Sequence, residues 1–335
     1  MKFLVIRFSS IGDIVLTTPA IRCLKTQYPN AQVHFLTKSS FKAVTEANPY
    51  IDQFHYFEND LNTLIDELKT ENFDYIIDLH KNFRTAIIKF KLKKPVLSYN
   101  KLSIQKWLLT QLGINTMPKR HITDRCLDAL QPLGIQNDEQ GLDYFIPDGK
   151  GIQPNDIPLA QMAGYVAIVI GASYFTKKLP VKKLQALCEQ INFPIVLIGG
   201  KEDTNDGEAI ASIDPIKIYN ACGKFSLYES ADLVRRAKLI ISHDTGFQYI
   251  ACAFNKKVLA IWGGTSPLLD VEPYYGKKQL QLHGETIVYE NFIVPKLTCQ
   301  PCSNYGTKKC PKGHFKCMQL QDTNNIAATA MRWIK

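Results

Sequence analysis

The chain has 335 residues, 45% hydrophobic and 21% charged, with 40 Lys and Arg against 31 Asp and Glu for a net charge of +9. That length exceeds what one core usually supports, so two domains are expected. Apolar runs stay well short of the roughly 20 residues a membrane-spanning helix needs. The apolar stretch after Lys2 stops at Arg7, too short for a signal-peptide core, so a cytoplasmic protein is expected.

In chain order, Phe3-Leu4-Val5-Ile6 reads as a strand that runs into a small polar turn, Ser9-Ser10-Ile11-Gly12-Asp13. Strand-like runs over 33–37, 53–57, 75–79 and 96–99 alternate with helical spacing over 41–48, 60–70, 103–112 and 120–133. Residues 134–163 hold the densest Gly and Pro content and read as a linker. The alternation then restarts, with strands over 165–170, 195–198, 216–219, 238–242 and 258–262 and helices over 181–191, 203–212, 227–237 and 247–254. Such βαβ succession demands parallel sheets covered by helices, hence an α/β chain of two Rossmann-like lobes facing a central cleft. The expected boundaries are 1–155 and 156–322, with a terminal helix in 323–335 packing back on the first lobe.

Ligands of open parallel sheets bind beyond the carboxyl ends of strands. The turn Ser242-His243-Asp244-Thr245-Gly246 lies between a strand and a helix whose first amides lack partners, an arrangement suited to anions. Gly171-Ala172-Ser173, followed by Lys177-Lys178-Leu179-Pro180, adds small residues, a hydroxyl and cations without Walker A spacing. Gly199-Gly200-Lys201-Glu202-Asp203 offers acceptors for a ribose or base edge, and no G-x-G-x-x-G fingerprint supports a nicotinamide or flavin enzyme. In the other half, Asp13 either caps its helix or faces the cleft. His34, His55 and His283 have no partner visible in sequence and read as structural.

Five cysteines are scattered in strand-like and helical runs and read as buried small residues. Cys299, Cys302, Cys310 and Cys317 cluster, with His314 beside them. Only the first pair has typical zinc spacing, leaving two readings: structural zinc, or reduced cysteines in a compact loop.

The run from Arg7 through Ser9-Ser10-Ile11-Gly12-Asp13 to Thr17-Thr18-Pro19-Ala20 resembles the opening of the bacterial heptosyltransferases, glycosyltransferase family 9. So do Gly171-Ala172-Ser173 with Lys177-Lys178-Leu179-Pro180, the 242–246 turn, Trp262-Gly263-Gly264-Thr265-Ser266-Pro267, and the Cys-rich tail. The resemblance spans about the whole chain with its motifs in order. It implies a GT-B fold, an N-terminal lobe for a lipopolysaccharide acceptor and a C-terminal lobe for an ADP-activated heptose. It also implies inverting transfer with no catalytic cofactor or metal. Carried over by position, Asp13 matches the general base. Ser173 and Lys177 match donor-phosphate groups, Asp244, Thr245 and Gly246 the donor turn, and Glu202 the nucleotide's acidic neighbour. Ser10, Gly12, His80, Asn82, Arg84 and Arg120 fall in segments resembling the acceptor side. His243 before the Asp and Phe247-Gln248-Tyr249 after the Gly depart from the family pattern, which bears on sugar specificity more than on the phosphate site.

The expected partners are an ADP-sugar and a lipid-linked core oligosaccharide, met by a monomer in the cytoplasm or peripheral on the inner face of the cytoplasmic membrane. The competing readings are an epimerase on the same fold and a basic nucleic-acid-binding protein. The second lacks any aromatic-interleaved basic stretch.

Overall fold

The computed structural model describes residues 1–282 and 289–334. The chain divides into two compact units: 1–101 with 120–145 and 276–279, and 102–119 with 146–275 and 280–335.

The first unit holds five strands: β1 (Lys2–Ile6), β2 (Gln32–Lys38), β3 (Gln53–Phe57), β4 (Tyr75–Asp78) and β5 (Val96–Ser98). They pair in parallel in the order β3-β2-β1-β4-β5, with Ile6 opposite both Leu36 and Asp78. The strand order reverses between β1 and β4, so the turns after those two strands flank the crevice where such sheets bind ligands. Leu4, Ile6, Phe8, Leu36, Ile76 and Ile88 join the core on one face of this sheet.

The second unit holds β6 (Val166–Val169), β7 (Ile195–Ile198), β8 (Ile218–Asn220), β9 (Leu239–His243), β10 (Val258–Ile261) and β11 (Tyr289–Phe292). The order β11-β10-β9-β6-β7-β8 is the Rossmann order and is parallel throughout. β6, β7, β9 and β10 are buried along their whole length. A sheet covered on both faces selects such continuous apolar runs. The reversal here lies between β6 and β9.

The structure departs from expectation in four places. Residues 41–48 form only a helical turn, Ser39–Phe41, and a short helix, Lys42–Thr45. Residues 102–119 cross into the second unit, where Leu102, Leu109 and Met117 bury against Leu269. Much of the expected linker is likewise built into that unit. The fully buried Asp232 accepts from the Ile152 amide at 3.0 Å, and a Cβ on Gly151 would lie 2.5 Å from Asp232 Oδ2. The terminal helix Thr323–Ile334 packs on the second unit, with Ile326, Ala327 and Ala330 in one core with Leu184, Leu187 and Cys188. Its alanines permit close approach to the Val181–Gln190 helix, an apolar match that helical spacing alone did not reveal. His283 and Lys335 lie outside the described residues.

Candidate active site

In the second unit the loop after β6 and the turn after β9 are locked together. Lys177 Nζ lies 2.7 Å from Asp244 Oδ2 and donates to the Asp244 carbonyl at 2.9 Å. An ammonium has three donors, so a third remains for a ligand. Asp244 leads into the Gly246–Ala253 helix, whose N-cap Thr245 makes no side-chain capping bond. Its first amides are therefore the anion-accepting groups of a helix start. Ser242 Oγ stands 3.4 Å from Thr245 Oγ1, and Ser173 is exposed on the facing loop.

Behind this surface, His243 Nε2 accepts from the Leu179 amide at 3.0 Å, and burial, followed by the Lys178 charge, pushes the imidazole down to about 3. It is therefore a neutral strut between the two turns. Lys178 pairs with the buried Asp203, which also accepts from the Gly200 amide at 2.9 Å. The acid that organises the third turn is thus Asp203. Glu202, the sequence choice, is exposed beside it.

A second layer supports Lys177. The Thr176 carbonyl accepts from the Gly264 amide at 2.7 Å, and the Thr307 amide donates to Thr176 Oγ1 at 2.7 Å. Gln300 Nε2 donates to the carbonyls of Trp262, Gly263 and Thr265, and the Cys302 amide donates to Gly264 at 3.0 Å. The Cys-rich loop therefore docks against the turns after β6 and β10. Burial, then the other three cysteines, push Cys317 up to about 12, and Cys299 Sγ lies 3.7 Å from His314 Nε2.

In the first unit, Asp13 performs both tasks that its sequence position left open. Its Oδ2 accepts from the Ser10 amide at 3.1 Å and the Ser10 hydroxyl at 2.8 Å, forming a capping box on the Ile11–Val15 helix. Its Oδ1 lies 2.5 Å from Arg7 Nη2, and the side chain remains 29% exposed. Arg7 is buried and bonds the carbonyls of Ser9 and Leu79. Burial alone would lower it, but Asp13 and Tyr99 carry it above its ordinary value.

The turn after β4 meets this group. Burial, then the Arg7 and Lys101 charges, push His80 down to about 4, and its ring lies 5.4 Å from that of Phe8, edge to face. Lys101 donates to the Lys81 carbonyl at 3.1 Å. Asp78 shapes the turn by accepting from the His80 and Lys81 amides at 3.1 and 2.7 Å. Asn82 is the N-cap of the Phe83–Leu92 helix, and Arg84 lies over the Phe57 ring at 5.5 Å. Arg120 is held in a bidentate pair by Asp128, with contacts of 2.6 and 2.7 Å. Arg7, Tyr99 and Lys101 received no role from the sequence. Arg7 stands within a quoted motif, and its burial was the missing signal.

His34 and His55 are partners after all. His34 Nδ1 is 2.9 Å from His55 Nε2, and His55 Nδ1 is 2.7 Å from Glu67 Oε1. With Glu71 they are, among the described residues, the one group of three or more His, Cys, Asp or Glu side chains whose ligand atoms all lie within 4.8 Å, so the Cys299–Cys317 loop does not gather three ligands that closely. The rings already satisfy each other and Lys2 holds Glu71 at 2.9 Å, so the cluster closes on itself as structure.

Residues 61–292 match the sequence profile of glycosyltransferase family 9 (heptosyltransferase). Lipopolysaccharide heptosyltransferase 1 of Campylobacter coli is 24% identical over 289 residues, covering 79% of this chain and 84% of that protein. The crystal structure of the glycosyl transferase family 9 from Veillonella parvula superposes with a TM-score of 0.75 at 19% identity, covering 99% of this chain and 97% of that one. The E. coli heptosyltransferase WaaC with ADP-2-deoxy-2-fluoro heptose superposes with a TM-score of 0.67 at 15% identity, covering 99% of both chains. The expected GT-B fold is thereby met.

Proposed function

This chain belongs to glycosyltransferase family 9, the heptosyltransferases, and we propose that it transfers a heptose from an ADP-sugar to the inner core of a lipopolysaccharide acceptor, with inversion. The observation that carries the donor half is the Lys177 ammonium fixed on Asp244 at the start of the Gly246–Ala253 helix. WaaC, a structural neighbour, is known with an ADP-heptose analogue, which supports the same donor class here.

In a single displacement the acceptor hydroxyl oxygen attacks the anomeric carbon. Its proton passes to a base, and the bond to the diphosphate breaks with its electron pair leaving on ADP. Asp13 is the base. An adjacent guanidinium favours the ionised carboxylate that a base needs, and Arg7 and Ser10 fix its direction. Lys177, the Ser173 hydroxyl and the amides at Thr245 and Gly246 stabilise the charge that grows on the departing diphosphate. Preorganised donors of this kind do the work a divalent ion does elsewhere. Glu202 and its buried neighbour Asp203 border the nucleoside. His80, Arg84 and Lys101 supply polar groups and cations for the phosphates and carboxylates of the acceptor.

The protein acts as a monomer in the cytoplasm, at the inner face of the cytoplasmic membrane. Incubation of the purified chain with ADP-heptose and heptose-deficient lipopolysaccharide, read by mass spectrometry, tests the reading. A mass gain of one heptose is expected, nearly abolished by Asp13→Asn. Release of free heptose without acceptor glycosylation would overturn it.

A further inference from the structure

The Phe83–Leu92 helix is amphipathic in an unusual sense. Thr85, Ile88 and Leu92 face inward and are buried, as a surface helix requires. The opposite side carries two exposed aromatics. Phe83 and Phe90 lie two turns apart on one side of the helix, 81% and 74% exposed, while Ile87 between them is half-buried and packs against the core. Two phenylalanines held in water on one helix face cost hydrophobic free energy unless something covers them.

The charge around that face is one-sided. From Leu79 to Lys101 the chain carries seven Lys and Arg and no Asp or Glu. Lys89 is spent on Asp78 at 2.7 Å, and Arg84 lies over Phe57. Lys91, Lys93 and Lys94 follow Phe90 directly, and none forms an ion pair among the described residues. Glu58 lines a hollow with Lys38, Phe57 and Arg84 at the start of this helix. Beyond Lys94, Val96 is 40% exposed on the edge strand β5.

Exposed aromatics rimmed by lysines with flexible stems match the boundary of an anionic bilayer. There rings enter the headgroup layer while ammonium groups reach the lipid phosphates. We propose that the outer face of the Phe83–Leu92 helix, with Lys91, Lys93 and Lys94, is the surface by which this chain docks on anionic phospholipid. The assignment rests on the lipid-linked acceptor proposed above for its use, and on this helix face for its chemistry. Docking here would set His80, in the turn before this helix, and Arg84, in its first turn, at the depth of a headgroup-proximal sugar.

The test is co-sedimentation of the full chain with vesicles of phosphatidylcholine alone or mixed with phosphatidylglycerol, at low and high salt. Binding to the mixed vesicles and its loss in salt are expected. The combined substitution Lys91→Ala, Lys93→Ala and Lys94→Ala should weaken partitioning roughly a hundredfold, at about fivefold per lysine. Phe90→Ser should weaken it by about tenfold. Both variants should keep the parent thermal midpoint and transfer to a delipidated, water-soluble acceptor at the parent rate. Equal sedimentation with neutral vesicles, capture by nucleic acid in place of lipid, or variants that bind as the parent does would each overturn the surface. Loss of transfer by the parent chain itself would strike the proposed reaction and leave this surface standing.

Discussion

Lys177 grips Asp244 at two atoms, the carboxylate at 2.7 Å and the main-chain oxygen at 2.9 Å. The pair joins the turn after β6 to the turn after β9 on either side of the strand-order reversal. A lysine so held is aimed before any donor arrives, and its value rises as the leaving group gains charge. Lys177→Ala should therefore lower kcat by about 10²–10³ as well as raise the donor KM. A rise in KM alone would make Lys177 a tether, and no change in either constant would remove it from the site.

Asp13→Asn should cut transfer by about 10²–10⁴, the usual cost of losing a general base. ADP binding, followed by calorimetry, should stay as in the parent, because the groups proposed to hold the donor belong to the other unit. Arg7→Lys gives a second readout. A lysine cannot reproduce the simultaneous bonds to Asp13, Ser9 and Leu79, so kcat should fall although charge is kept. Parent-like kcat in Asp13→Asn would end its assignment as the base.

The two sheets and the strand–turn–helix turns were legible because buried parallel strands are nearly continuous apolar runs and because Gly, Asp and Thr mark their turns. What escaped notice depends on distance along the chain. Thr176 meets Thr307 across 131 positions, which no local pattern encodes. Glu202 and Asp203 are adjacent acids of equal promise in sequence, and only packing against Lys178 and Gly200 shows that Asp203 is the one tied in. The terminal helix went astray for the same reason. Its apolar face was visible, but the surface that fits Ala327 and Ala330 was not.

Stability should fall as the medium is acidified through the window set by three histidines. Burial pushes His34 and His80 down to about 4 and His243 to about 3, from an ordinary value of 6.5. Below about pH 6.5 the unfolded chain binds protons that the folded chain refuses, so unfolding becomes easier as pH drops toward 4 and then 3. Above 6.5 these groups contribute no slope. Thermal midpoints measured across that range should decline with acid, and less steeply in His34→Asn than in the parent. An identical slope in both would remove His34 from the account.

Gly263→Ala places a methyl 2.2 Å from the Thr176 carbonyl and 2.6 Å from Met318 Cε. The backbone oxygen cannot retreat without pulling on Lys177, the next residue. Overpacking of this kind costs about 1–3 kcal/mol, so the thermal midpoint should fall. Donor KM should rise with it, because the strained atom lies beside Lys177, the lysine proposed to meet the diphosphate. A lower midpoint with unchanged KM would show that the Gly263 turn supports the fold alone.

Exhaustive chelation should leave the rate of transfer unchanged, since the turns proposed to hold the donor carry an ammonium, hydroxyls and amides that can meet a diphosphate. Activity lost in EDTA and restored by Mg²⁺ or Mn²⁺ would refute that mechanism. The Cys299, Cys302, Cys310 and Cys317 loop makes a separate outcome informative. It reaches Lys177 through Cys302, Gly264 and Thr176, so a metal held by these thiols would act on the donor site by bracing it. In that case chelation lowers the thermal midpoint and raises donor KM, and only Zn²⁺ or another thiol-seeking ion restores both. The double substitution Cys302→Ser and Cys310→Ser should then reproduce the chelated state and abolish metal uptake measured by elemental analysis. Parent-like metal content in that variant would place the ion elsewhere.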